Sequence, residues 1–341
     1  MIRLACDYQE GCHPKILERM VQTNLESTVG YGFDPYCESA KAKIKQACGT
    51  PNAEVYLLVG GTQTNSTVIR AILRPCEGVI AVTTGHVNGH EAGAIEFGGH
   101  KVLTLPSHDG KMNAQELDRY ITGTFADSSW EHGVIPAMVY ISQSTETGSV
   151  YSLSELEAIA AVAHKHGMPL FIDGARLGYG LASEGCDVTL KDVARLADVF
   201  YIGGTKVGTL LGEAVVFTNT RYAKNFFTIM KQSGAVLAKG RVIGLQFDTL
   251  FTDDLYMQIS RHAVAMAMKL KAALQAKEYR FFSESPSNQQ FVIMDNDKLK
   301  AFEEKVQVSH WCAVDEHHTA VRLCTSWATT EETIDRVIEL L

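Results

Sequence analysis

Phe171-Ile172-Asp173-Gly174-Ala175-Arg176, read with Tyr201-Ile202-Gly203-Gly204-Thr205-Lys206 further on, decides how this chain is organised. Each stretch is a short apolar run followed at once by polar residues and glycine. The pattern reads as two buried strands whose ends carry an acid and a lysine. A carboxylate and an amine at neighbouring strand ends meet the two needs of pyridoxal phosphate. The amine holds the cofactor as a Schiff base, and the acid keeps its ring nitrogen protonated so that the ring can act as an electron sink. The same two residues also read as a helix cap and a solvated loop lysine, so the rest of the chain has to decide.

Outward from this pair, strands and helices alternate. Val55 to Val59 is an apolar strand running into Gly60-Gly61-Thr62-Gln63-Thr64-Asn65, and Val68, Ile69, Ile72 and Leu73 then recur at helical spacing. A glycine turn opening a helix turns backbone N–H groups toward an anion, with Thr62 and Gln63 as added donors for a phosphate; tight packing is the other use of such glycines. It is neither G-x-G-x-x-G nor a Walker A sequence. Val79 to Val82 is the next strand, and the loop after it carries His86, His90 and Glu91. His86 there could stack on a flat ring. Further strands are Lys101 to Leu105, Ala137 to Ile141, Met168 to Asp173, Val199 to Gly203 and Glu213 to Thr218, with helices near Ala114 to Ile121 and from Ser154 onward. Glu146 follows the Ala137 to Ile141 strand, as a loop cap or as a site acid.

This alternation predicts an α/β fold: a mostly parallel central sheet with helices on both faces. In such a sheet the carboxyl ends of the strands share one edge, where ligands bind. Thr62, His86, Glu146, Asp173 and Lys206 all lie just past strands, so the sheet gathers them into one constellation.

The flanks differ. Ile2 to Tyr8 is extended, and a helix begins at Pro14 with Ile16, Leu17, Met20 and Val21 at helical spacing. Val29 to Pro35 is loop-like and aromatic, a substrate lip or a simple connection. From Val242 to Lys277 the pattern is helical, followed by short strands at Gln290 to Met294 and Ala320 to Cys324, which predicts a small α+β unit. Arg322 within a strand reads as a water-facing position or as a planar clamp for a carboxylate. The expected division is 1–20 as an N-terminal segment packing with the small domain, 21–240 as the large cofactor domain and 241–341 as the small domain.

With 341 residues, 46% hydrophobic and 21% charged, the chain has ample core-forming material. A net charge of −8 argues against nucleic acid as a partner. No apolar stretch suits a membrane span or a secretory signal, which makes a cytoplasmic enzyme the expectation. The eight cysteines are scattered and read as reduced thiols. His310, Glu316, His317 and His318 read as surface loop residues, so no metal site is expected. Gly178-Tyr179-Gly180 suggests a nucleotide-binding dehydrogenase, but Ser183 stands where the third glycine belongs.

Taken together, Leu4-Ala5-Cys6-Asp7, Tyr31-Gly32-Phe33-Asp34-Pro35, Gly61-Thr62-Gln63-Thr64-Asn65, His86 with Glu91-Ala92-Gly93, Asp173-Gly174-Ala175-Arg176, Thr205-Lys206 and Val321-Arg322-Leu323 resemble the low-specificity L-threonine aldolases and related β-eliminating lyases, in the aspartate aminotransferase-like pyridoxal phosphate superfamily. The resemblance implies Lys206 as the Schiff-base lysine, in company with Thr205, and Asp173 as the partner of the pyridine nitrogen. It implies Arg176 near the phenolic oxygen, Gly61, Thr62 and Gln63 at the phosphate, and His86 stacked on the ring. Tyr31 would line the substrate side and Arg322 would take the α-carboxylate. A homodimer or homotetramer with shared active sites is implied as well.

The activity so implied is cleavage of β-hydroxy-α-amino acids of the L-threonine or L-allo-threonine type to glycine and an aldehyde. The alternative is β-elimination or amino transfer on another small amino acid. For the base, His86 comes first, then Glu146 or a water held by either. The sequence departs from the family pattern in carrying Glu146 where a histidine is usual. It also has Lys239 and Arg241 in a region where the usual arginine is missing, and its lysine sits in Gly203-Gly204-Thr205-Lys206.

Overall fold

The computed structural model describes residues 1–341. After a two-residue strand β1 (Ile2–Arg3), the chain builds β2 (Glu54–Leu58), β3 (Glu77–Val82), β4 (Val102–Leu105), β5 (Ile135–Ser142), β6 (Leu170–Asp173), β7 (Val199–Gly203) and β8 (Glu213–Phe217). These last seven form one sheet in the order β2-β8-β7-β6-β5-β3-β4. Pairing from β7 through β4 is parallel, whereas β8 runs antiparallel to both β2 and β7. Six strands therefore point one way. The direction of β8 brings its first residue, Glu213, to the edge where the other six end.

Alternation along each strand feeds two apolar layers. Ile80, Val139, Ile141, Ile172, Phe200, Ile202 and Val216 face one side. There they meet Ile16, Ala40, Ile44, Leu156, Ile159, Val193, Ile243 and Phe247 from covering helices. Val79, Ala81, Met138, Tyr140, Phe171, Val199, Tyr201 and Val215 face the other side, against Val68 and Ile69 of the helix Gly61–Ile72 and Phe226 and Met230 of Phe226–Gln232. With both faces covered, the central strands are apolar at nearly every position, which is what parallel sheets require.

The C-terminal unit is a four-stranded antiparallel sheet of β9 (Arg280–Ser283), β10 (Gln289–Asp295), β12 (Ser309–Ala313) and β13 (His318–Cys324), with β11 (Val306–Gln307) pairing instead with β1. Its core joins Val292, Met294, Val321 and Leu323 to Leu270 and Leu274 of the helix Leu255–Ala276, and Leu4 is buried with them. The helical run after Val242 breaks at Asp253 and Asp254, both at positive φ, into Arg241–Leu250 and Leu255–Ala276. Ile243, Phe247, Ile259 and Ala263 from those helices pack into the large layer, so the helices tie the two units together.

Candidate active site

Two glycines bring the deciding strand ends into contact. The Gly203 N–H donates to the Gly174 carbonyl at 2.9 Å. A Cβ on Gly174 would collide with the carbonyl oxygen of Tyr201, and one on Gly203 with that of Ala175. The absence of side chains thus sets the spacing between the Asp173 turn and the Lys206 turn.

Asp173 is 4% exposed, and its carboxylate accepts four hydrogen bonds. Oδ1 takes the Tyr201 hydroxyl at 2.5 Å and the Ala175 N–H at 2.9 Å; Oδ2 takes the Tyr140 hydroxyl at 2.5 Å and Asn65 Nδ2 at 2.9 Å. Burial works to raise its pKa, but His86, the two tyrosine hydroxyls and the Ala175 amide outweigh it and hold the group below the usual carboxylate value. Asp173 is a fixed anion on the wall of the same cavity that Lys206 lines.

The Lys206 amine makes neither a hydrogen bond nor an ion pair, although the residue is half-buried. Burial, reinforced by Arg176, lowers its pKa against the opposing pull of Asp7, Asp173 and Glu213. Arg176 pairs with Asp7 through Nε at 2.7 Å and Nη2 at 3.0 Å, and Asn288 Nδ2 adds a third bond to Asp7 at 3.0 Å. Burial would raise Asp7, but Arg176 above all brings it down to about 2. Glu213 is 3% exposed and accepts from the Gly204 N–H at 3.1 Å; burial dominates there and lifts it to about 8. Thr205 lies on the cavity wall, its hydroxyl accepting from the Gly212 N–H at 3.1 Å.

An outer cavity of about 690 Å³, adjoining the small inner pocket that Asp173 lines and sharing Lys206 with it, runs from this strand edge to the small domain. At one side the helix Gly61–Ile72 begins with no side-chain cap, and Gly61 and Thr62 line the wall. Its free N–H groups and dipole present a ready anion site. Gln63 is not on the wall: its side-chain oxygen turns back to accept from the Val59 N–H at 3.2 Å. Opposite, His86 is held by its Nδ1 at 2.8 Å from Glu91 Oε1, and Glu91 also accepts from Asn65 at 2.7 Å. The Asn65 amide donates to the same Glu91 oxygen, so that oxygen serves as the acceptor and Nδ1 as the donor. Glu146 Oε1 accepts from the His86 backbone N–H at 2.9 Å and from the Ser142 hydroxyl at 2.7 Å, and burial raises its pKa. Glu146 is thus both a loop cap and a wall residue.

Arg322 enters from β13. Nη1 donates to Gln289 Oε1 at 3.1 Å and Nη2 to the Ala5 carbonyl at 3.0 Å, while Nε is buried without a partner. A buried orphan donor on a cavity wall is what an incoming carboxylate would satisfy.

Tyr31 does not join this cavity. It is 47% exposed, with the Lys231 ammonium 4.5 Å from its ring centre, and it borders a separate apolar groove with Phe33, Tyr56 and Phe227. Arg241 is likewise engaged elsewhere, donating to the carbonyls of Thr23 and Glu26. Several residues absent from the expected set hold the site: Tyr140 and Tyr201, which read as core; Asn65 and Glu91; Asp7; and Glu213. Their signals were weak, since a tyrosine in an apolar run gives no hint of where its hydroxyl goes.

An uncapped helix start, an unpaired amine, a fixed carboxylate and a pinned imidazole around one cavity suit the phosphate, aldehyde, ring nitrogen and ring face of pyridoxal phosphate. Low-specificity L-threonine aldolase of a Pseudomonas strain is 31% identical over 308 residues, covering 89% of this chain and 87% of its own. The threonine aldolase of Leishmania major superposes with a TM-score of 0.96 at 41% identity, covering 100% of this chain and 98% of that one. Aspartate aminotransferase of Thermus thermophilus, 19% identical with a TM-score of 0.72 over 100% of this chain and 90% of that one, shares the fold. The family model described as beta-eliminating lyase matches residues 4–297, and the chain belongs to that family.

Proposed function

We propose that this protein binds pyridoxal phosphate through Lys206 and cleaves β-hydroxy-α-amino acids of the threonine type to glycine and an aldehyde. One observation carries the reading: the unpaired Lys206 amine opens onto the same cavity as the Asp173 carboxylate. Bound there, the cofactor supplies an electron sink for the pair released when a bond to Cα breaks.

The chain's own residues do the rest. Asp173, kept ionised by His86, the two tyrosine hydroxyls and the Ala175 amide, would hold a proton on the cofactor's ring nitrogen. The backbone N–H groups at Gly61 and Thr62 take the phosphate, and Arg176, fixed by Asp7, keeps positive charge near the Lys206 end. Arg322, on the cavity wall with one N–H unpartnered, would take the substrate carboxylate and so help select which bond at Cα is broken. His86, held by Glu91, would stack on the cofactor's ring.

The aromatic loop points to an assembly. Leu17, Val21, Leu25, Val29, Tyr31 and Phe33 are all exposed, and we read this apolar surface as the contact through which a second copy brings Tyr31 to the site, at least as a dimer.

Incubating the purified protein with pyridoxal phosphate and L-threonine tests the activity. Acetaldehyde and glycine are expected in equal amounts. Release of 2-oxobutyrate without acetaldehyde would replace the aldol reading with β-elimination.

A further inference from the structure

Aldol cleavage requires a group that takes the proton from the substrate's β-hydroxyl. We propose that His90 is that group, a catalytic residue whose imidazole accepts the hydroxyl proton as the Cα–Cβ bond breaks. This deepens the aldol reading and rests on it.

The cavity has an inner and an outer part. Asp173, Tyr201 and Ser142 belong to the inner part, while His90, Arg322 and Trp311 line only the outer one. A substrate whose carboxylate is held by Arg322 carries its β-substituents in the outer part. Three imidazoles face that space, and two of them have one nitrogen tied down: His86 Nδ1 with Glu91 at 2.8 Å, which holds that ring, also a wall of the inner part, for the cofactor, and His310 Nε2 with Glu303 at 2.8 Å. The His90 ring makes no hydrogen bond, and its centre lies 5.7 Å from that of His86.

Partial burial, His86 and Arg322 push the His90 pKa below the ordinary 6.5, so the ring is neutral and able to accept a proton at pH 7. The other ionisable groups around the cavity leave this role open. Glu146 has Oε1 committed to the His86 backbone and to Ser142, and Glu213 and Lys206 sit at the strand edge. Tyr8, on the N-terminal segment, has its pKa raised by burial first and so stays a neutral phenol.

The step balances without a redox partner. The hydroxyl O–H pair becomes the second C–O bond of the aldehyde, the Cα–Cβ pair stays with Cα, and His90 becomes imidazolium. A proton added at Cα then gives glycine, and the imidazolium returns its proton to solvent.

Two holoenzyme variants, His90→Asn and His90→Phe, test the proposal beside an imidazole NMR spectrum of the cofactor-free wild type. In both variants kcat for threonine cleavage is expected to fall by about 100- to 1000-fold. Glycine affinity, read from the cofactor's absorbance change, should stay at the wild-type value. The His90 resonance, identified by its absence from the Asn variant, should be that of a neutral ring at pH 7. Cleavage within about threefold of wild type in either variant, or a protonated His90 at pH 7, would overturn the assignment. If one variant fails to fold, the other and the wild-type spectrum still decide. A wild type that releases no acetaldehyde counts against the aldol reading itself.

Discussion

At the residue scale, the site is set by charges that burial would otherwise suppress. Asp7 and Arg176 are both buried, so removing one partner strands the other. Asp7→Asn is expected to cost about 3 kcal/mol in urea unfolding at pH 7. The Asp7 carboxyl lies near 2 in the folded protein, against its ordinary 3.8. Its contribution is therefore complete above pH 3.8 and lost as pH falls through about 2, and the variant should lack that acid limb. Glu213 works in the opposite sense. Folding raises it from 4.5 to about 8, so the folded state holds the extra proton between those values and stability declines as pH rises across the window. Glu213→Gln should flatten that decline and gain about 1–2 kcal/mol at pH 8, measured as a shift in the urea midpoint. Asp173 and Lys206 could be read from the sequence because each follows an apolar run. Asp7 could not be linked to Arg176, because only folding brings such distant positions together, and the Tyr140 and Tyr201 hydroxyls were hidden among core residues.

At the element scale, the site depends on how closely the ends of β6 and β7 approach. Gly203→Ala places a methyl group against the Ala175 carbonyl, and the two turns must part. A loss of about 2–3 kcal/mol is expected, together with weaker pyridoxal phosphate binding in an absorbance titration. Gly123, in the helix Ala114–Ala126, is the contrast, since a Cβ there meets nothing. Gly123→Ala should stabilise the protein by about 0.5–1 kcal/mol and leave cofactor binding unchanged. Strand and helix alternation was legible because buried parallel strands are short apolar runs between amphipathic helices. Strand direction was not: nothing in Glu213 to Phe217 tells that β8 runs against its neighbours, and so the placement of Glu213 beside Lys206 emerged only with the sheet. The Gln63 side chain was likewise unreadable, because it caps the end of β2 through the Val59 N–H and does not face the cavity.

At the scale of the whole molecule, the cavity lies between the parallel edge of the large sheet and β12 and β13 of the small one, so neither unit could form it alone. The α/β class and the small α+β unit followed from pattern, although only two of its four strands were legible and their antiparallel pairing was not, and Arg322 was found because a charged residue interrupts an apolar strand. The position of Tyr31 was not legible, since a loop's sequence does not say which surface it joins. If a second copy supplies Tyr31, then mixing Tyr31→Ala and Lys206→Ala subunits, each inactive alone, should restore threonine cleavage to at most about a quarter of wild type through mixed dimers. Failure to complement in confirmed mixed dimers would remove Tyr31 from the shared site. The most direct test of the central claim is borohydride reduction of the protein loaded with pyridoxal phosphate, followed by peptide mapping. The account predicts one labelled peptide, modified at Lys206; a label on any other lysine, or none, would contradict it.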